Sequence, residues 1–454
     1  MTADDGLPTP QRYRAIIAIA LGITLAVLDG AIANVALPTI ARDLHTSDAA
    51  SIWVVNAYQL VITMSLLPLA SAGDIYGYRR IYRAGLVLFT VFSLGCAISD
   101  SLTQLTAARV LQGVGAAGIM SVNSALLRFV YPRHMLGRGV AVNALVVALS
   151  SAIGPSVASA ILAVAPWQWL FAVNVPIGLL AFLASGSLPR TPASPRRFDL
   201  GSALLNALTF GLFIIGLDGI GHGEGELFVV IEFAAALALG TALVLRQLSR
   251  AAPLLPIDLL RLPVFALSIA TSTCSFAAQM MAYVSLPFYL QNVLGRTQVE
   301  TGLLMTAWPL TVAMVAPISG RLADRHNAGL LGGIGLTIFA AGLLALAVLP
   351  MHPSSADIVW RMAVCGLGFA LFQSPNNRTI ITAAPKERSG GASGMLGTAR
   401  LLGQTTGTAL VAVLFGLWPE EGTTIALLTA AAFALGAAIV SSVRMLDFSR
   451  PGSP

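Results

Sequence analysis

Apolar runs long enough to cross a lipid bilayer recur along this chain from end to end. They fall near residues 15–38, 51–73, 81–99, 102–127, 139–163, 168–188, 200–217, 227–245, 264–290, 300–320, 328–350, 357–381, 391–416 and 423–445. Each matches the roughly 20 residues that a helix needs to span a hydrocarbon core about 30 Å thick. Lipid offers no partner to backbone N–H and C=O groups, so segments of this length must satisfy themselves as helices. The chain therefore reads as an all-α membrane protein of about fourteen spans. Composition agrees: 56% of the 454 residues are hydrophobic and 10% charged, too little charge to cover a soluble protein of this size. The opening residues 1–11, with their acids and prolines, do not read as a cleaved signal peptide.

The net charge of +6 is explained by membrane topology rather than by nucleic acid. Cations gather on alternate loops: Arg12 and Arg14; Arg79, Arg80 and Arg83; Arg128, Arg133 and Arg138; and so on to Arg444 and Arg450. The opposite loops hold little beyond Arg42 and Arg296, together with acids such as Glu224, Glu226, Glu420 and Glu421. The positive-inside rule then places both termini in the cytoplasm and requires an even number of spans. The only lysine, Lys386, follows no glycine-rich run, so there is no phosphate-binding loop for an ATP-driven pump. Cys96, Cys274 and Cys365 lie in apolar stretches and imply no disulfide framework, and the five histidines are scattered through loops without metal-ligand spacing.

Two stretches repeat. "AGDIYGYRR" (72–80) follows the second span and "GRLADRHN" (320–327) the tenth, while "AARVLQGVGAAG" (107–118) opens the fourth span and "VWRMAVCGLGFA" (359–370) the twelfth. The same order at nearly the same offset indicates duplicated halves. The expected division is a six-helix bundle over 1–190, two extra helices over 191–255 and a second six-helix bundle over 256–454. Internal repeats of this kind build secondary transporters, whose substrate sites lie near the midplane between repeats.

Several motifs together resemble the major facilitator superfamily, and within it the fourteen-span drug:proton antiporter branch. "LDGAIANVALPTI" (28–40) is similar to the branch's first-span motif, "GDIYGYRR" (73–80) to the superfamily's loop motif, and "RVLQGVG" (109–115) to its fourth-span motif. Gly154 and Pro155 in "SSAIGPSVAS" resemble the fifth-span antiporter motif, and "WQWLFAVNVPIG" (167–178) the sixth-span entry. Departures include Ala70, Ile75 and Tyr78 in the loop motif, Asn327 in its second copy, and Ala158 and Ser159 in the fifth span. The resemblance implies the major facilitator fold and an exporter driven by the proton gradient, without a cofactor. Its partners would be a small-molecule substrate, protons and the bilayer, acting as a monomer in a bacterial cytoplasmic membrane, with no role for nucleic acid.

Within that frame the intramembrane charges are the candidate machinery, because an acid at the centre of a span costs roughly 2.5–3.5 kcal/mol to insert. Asp29 lies about 13 Å from the external end of its span and Arg109 about 10 Å from the same side. In the resembled fold both helices line the central cavity, so the two residues are expected to form an ion pair or share waters and to couple transport to protons. Arg400 is a third charge within a span, whereas Glu232 is expected to reach the external interface. Cavity candidates are Asn34, Asn56, Tyr58, Gln59, Gln112, Asn123, Gln279, Tyr283, Trp308, Gln373, Asn376, Arg400 and Gln404, with Met280 and Met281 as adaptable apolar surface. Asp74, Gly77, Arg79 and Arg80, with Asp324 and Arg325 in the second copy, are expected to form a cytoplasmic gating loop. Gly154–Pro155 is expected to kink a helix that a small-residue surface seals against a neighbour. The expected cargo is a lipophilic, cationic drug or biocide. The alternative within transport is an anionic or zwitterionic metabolite or a lipid, favoured if Arg109 and Arg400 face the cavity unpaired. A membrane enzyme or scaffold would leave the duplicated halves unexplained.

Overall fold

A computed structural model describes residues 6–132, 135–191, 198–221, 225–248, 256–323, 325–350, 352–385 and 388–444. Each of the fourteen apolar windows falls on one long helix, and the described residues contain no β-strand. The first seven are α1 (Thr9–Asp43), α2 (Asp48–Tyr76), α3 (Tyr78–Ala97), α4 (Leu102–Val130), α5 (Arg138–Leu162), α6 (Trp169–Ser187) and α7 (Leu200–Gly221). The others are α8 (Glu226–Leu248), α9 (Pro263–Val293), α10 (Gln298–Ala323), α11 (Ala328–Ala347), α12 (Ser355–Ala383), α13 (Gly391–Leu417) and α14 (Gly422–Val443).

Polar residues in the short loops start these helices by accepting hydrogen bonds from otherwise unpaired first-turn amides. Ser47 accepts from the Ala50 amide at 3.1 Å, Ser354 from Asp357 at 3.1 Å, and Asn327 from Gly329 at 2.7 Å. Thr297 and Glu300 form a reciprocal capping box at the head of α10. Gly77, at φ +94°, makes the break between α2 and α3 in a conformation that suits glycine.

The chain divides into two compact units, residues 1–211 and 212–454. In the first, α3 and α4 meet through glycine: a Cβ on Gly115 would stand 2.4 Å from the Phe89 amide nitrogen, and one on Gly113 2.9 Å from the Tyr58 carbonyl oxygen of α2. In the second unit, a Cβ on Gly368 would stand 2.3 Å from the Phe339 nitrogen of α11, and one on Gly366 2.5 Å from the Trp308 oxygen of α10. Small residues let helices approach this closely in a membrane. The two units thus repeat one packing scheme.

This pairing corrects one detail of the repeat. The step from Gly113 to Gly366 equals that from Gly115 to Gly368, and it carries Arg109 onto Met362, which is buried, rather than onto Arg361. Arg361 instead pairs with Asp357 one turn away, Nε to Oδ1 at 3.1 Å, near the start of α12.

Candidate functional site

Four side chains from three helices converge inside the first unit. Asp29 of α1, Arg109 and Gln112 of α4 and Asn174 of α6 are all 0% exposed. Arg109 and Gln112, three residues apart, share one face of α4. Arg109 Nη1 donates to Asp29 Oδ2 and, at 2.6 Å, to Gln112 Oε1, while its Nε donates to the Val54 carbonyl oxygen of α2 at 2.8 Å. Gln112 Nε2 donates to Asp29 Oδ1 at 3.0 Å and to Ser93 Oγ of α3 at 2.9 Å, and Asn174 Nδ2 donates to Asp29 Oδ1 at 2.7 Å. The Arg109 guanidinium lies 4.0 Å from the Tyr58 ring centroid and 5.4 Å from that of Phe171. Tyr58 is held in turn by its hydroxyl, which donates to the Ala26 carbonyl oxygen at 3.0 Å.

Every contact to the Asp29 carboxyl comes from a donor, which is the arrangement a carboxylate requires. A buried ion pair persists only when such extra hydrogen bonds offset the loss of water. Two polar atoms of the cluster, Arg109 Nη2 and Asn174 Oδ1, have no hydrogen-bond partner among the described residues. A proton on Asp29 would turn one acceptor oxygen into a donor and remove the charge that Arg109 faces. The network could not keep its present form, so proton binding and side-chain rearrangement are linked here by geometry.

A sequence model of the Major Facilitator Superfamily matches residues 19–408, a span that includes the whole cluster. The chain belongs to the Major Facilitator Superfamily. Among curated members, it is 58% identical over 444 residues to the uncharacterised transporter YebQ of Escherichia coli, with 97% of each chain covered. It is 29% identical to the riboflavin transporter RibZ of Clostridioides difficile, covering 89% of this chain and 88% of that one. It is 32% identical to the multidrug resistance protein Stp of Mycobacterium tuberculosis, covering 89% and 76%.

Other candidate positions of this superfamily member have separate surroundings. Asn34 is buried and donates to the Gly30 carbonyl oxygen of its own helix at 3.3 Å, whereas buried Asn56 bonds with no described residue through either amide atom. Gln59 is buried, and Asn123 donates to Asn143 at 3.0 Å. Gln112 uses both amide atoms inside the ion-pair network rather than offering them to a ligand. In the second unit Asn376 is likewise engaged: its amide nitrogen donates to Ser272 Oγ at 2.8 Å and its oxygen accepts from Arg444 at 2.6 Å. Arg444 lies just beyond α14, and burial lowers its guanidinium pKa to about 10. Gln279, Tyr283, Gln373 and Gln404 are partly exposed, Met280 and Met281 are buried, and Trp308 packs edge-on against Tyr283 at 5.0 Å. Arg400 is partly buried, with its guanidinium 5.5 Å from the Phe276 ring, and makes no hydrogen bond or ion pair with a described residue. Glu232, expected at the interface, keeps Oε2 buried without a hydrogen-bond partner among the described residues.

In the loop motif Asp74 accepts from the Tyr78 hydroxyl, and the Tyr78 amide donates to Thr191 Oγ1 at 3.0 Å. Arg79 and Arg80 form no ion pair with a described residue. Arg325 is exposed, and Asp324 lies outside the described residues. The fifth span continues as helix through Gly154–Pro155, and Gly154 abuts Ala31 of α1: a Cβ there would be 2.6 Å from that of Ala31. A cleft of about 730 Å³ lined by Pro10, Gln11, Arg14 and Ser187 opens at the start of α1. It is remote from the cluster, since Arg14 precedes Asp29 by about 22 Å of helix.

Asn174 and Ser93 were not singled out from sequence. Asn174 sits within "WQWLFAVNVPIG", so a signal was present, but nothing in the string shows that its amide points at an acid 145 residues away.

Proposed function

We propose that this chain is a proton-coupled exporter of small lipophilic molecules, with Asp29 as the proton-binding group and Arg109 as the charge that answers it. The supporting observation is the fully buried Asp29–Arg109 pair, since an ionisable residue within a span is a functional-site hypothesis by default. Protonation of Asp29 frees Arg109 to rearrange, and a two-state carrier converts that rearrangement into alternating access. It works in the cytoplasmic membrane as a monomer, with both termini in the cytoplasm. The multidrug relative supports a broad lipophilic cargo, for which the sequence pointed to cations. Arg400, unpaired with any described residue, favours the second reading, a cargo that carries negative charge.

The test is a pH-sensitive dye in energised inverted vesicles. A quaternary ammonium compound and an aromatic carboxylate are added separately, and the one that is cargo should release protons from wild-type vesicles and not from Asp29→Asn vesicles. Equal release from both would remove Asp29 from the coupling, and no release by wild type with either compound would sink the exporter reading for these cargo classes.

A further inference from the structure

Arg400, partly buried, lacks the acceptors that three other arginines within spans or at their ends have. Arg109 has Asp29, Gln112 and a backbone carbonyl; Arg361 has Asp357 and the Ala345 carbonyl; Arg444 has Asn376 and Ser268. Arg400 has no acceptor among the described residues. It lies nine residues after the start of α13 and seventeen before its end, about 14 and 25 Å along the axis. Its charge is therefore well inside the span, where such groups face the protein interior or a water-filled cavity and normally pair.

The neighbouring packing is aromatic, and Phe276 itself is 3% exposed. Gly403 and Gly407, three and seven residues on, press against Thr273 and Ala277 of α9, so Arg400 shares the helix stripe that faces α9. Phe276 beside it packs edge-on with Phe369 at 5.3 Å, which in turn meets Phe339 at 5.6 Å, and Phe339 meets Trp308 at 5.4 Å. Trp308 is 1% exposed, and its Nε1–H has no acceptor among the described residues. A planar guanidinium offers paired N–H donors that match a carboxylate, and a ring packed against its face holds that fork in place.

We infer that Arg400 is a recognition site for a lipophilic carboxylate, with the acid on the guanidinium and Phe276 holding that guanidinium in place. This deepens the exporter reading above and rests on it for the direction of transport. It also sets the charge of the cargo opposite to the cation that the sequence suggested.

The experiment compares one molecular body at three charges: radiolabelled 2-naphthoate, 2-naphthamide and 2-naphthylmethylammonium, bound to purified protein in nanodiscs of zwitterionic lipid. Hydrogen bonding to an ionised partner should make naphthoate bind roughly ten- to hundredfold more tightly than the amide. Arg400→Gln should reduce naphthoate to the amide's affinity while leaving amide binding unchanged, and Arg400→Lys should keep part of the preference. If Arg400→Gln fails to fold, Arg400→Lys and Phe276→Leu carry the test, the latter weakening naphthoate more than the amide. Preference for the ammonium compound, unchanged naphthoate affinity in Arg400→Gln, an undiminished preference in Arg400→Lys with unchanged ligand affinities in Phe276→Leu, or no binding of any ligand by folded wild type would overturn the inference. Because binding is measured without a gradient, failure of coupling is distinguishable: naphthoate binding with no proton release removes the coupling and keeps the site. Proton release by a cation without naphthoate preference does the reverse.

Discussion

Removing both charges of the Asp29–Arg109 pair should cost this protein less than the sum of removing each charge alone. At 4 Å and an effective dielectric near 20, opposite unit charges attract by about 4 kcal/mol. Losing one member of a buried pair typically costs 3–5 kcal/mol, because the other charge stays buried without compensation. Asp29→Asn leaves Arg109 in that position, and Arg109→Gln leaves Asp29 with only its amide donors, Gln112 and Asn174. Each single variant is expected to lose about 3–5 kcal/mol, and the double variant less than the sum of the two. For a unit of about 200 residues, each kcal/mol is roughly 2–4 °C in Tm, so single variants should melt about 6–20 °C lower. Scanning fluorimetry of purified protein in detergent reads this directly, with the double-mutant cycle isolating the pair. Shifts below about 3 °C, or strict additivity, would refute the claim that these charges answer one another.

Two further predictions follow from packing and hydrogen bonding. Gly115→Ala and Gly368→Ala each drive a methyl group into backbone and should lower stability by about 1–3 kcal/mol, whereas Gly436→Ala, with open space around it, should be neutral or slightly stabilising. Similar melting of all three would mean that the close contacts do not hold the helices together. Asn174→Ala withdraws one donor from a buried carboxylate and should cost about 1.5–3 kcal/mol, checked by the same melting assay. An unchanged Tm would mean that Asn174 does not support Asp29.

The span pattern was fully legible because hydropathy and length alone decide which segments cross a bilayer. The Asp29–Arg109 pair was partly legible, since both charges stand out in apolar runs and lie at similar depth. Their ligands were not, because serine and asparagine are common within spans and only tertiary contact shows which of them face the acid. Gln112 and Asn376 illustrate the converse. As letters they are polar groups available for a substrate, but in the structure their amides are engaged by neighbouring side chains. Arg361, like Arg109, precedes a Gly-x-Gly, yet the glycine contacts, which set how helices meet, shift the register by one residue.

The repeated Gly113/Gly115 and Gly366/Gly368 contacts support different chemistry in the two copies: Arg109 in the first, buried Met362 at the matching place in the second. Duplication has preserved the scaffold and let the chemistry specialise. One copy can keep its buried charge pair while the other carries different side chains on the same glycine contacts, so the backbone scaffold need not move when the chemistry does.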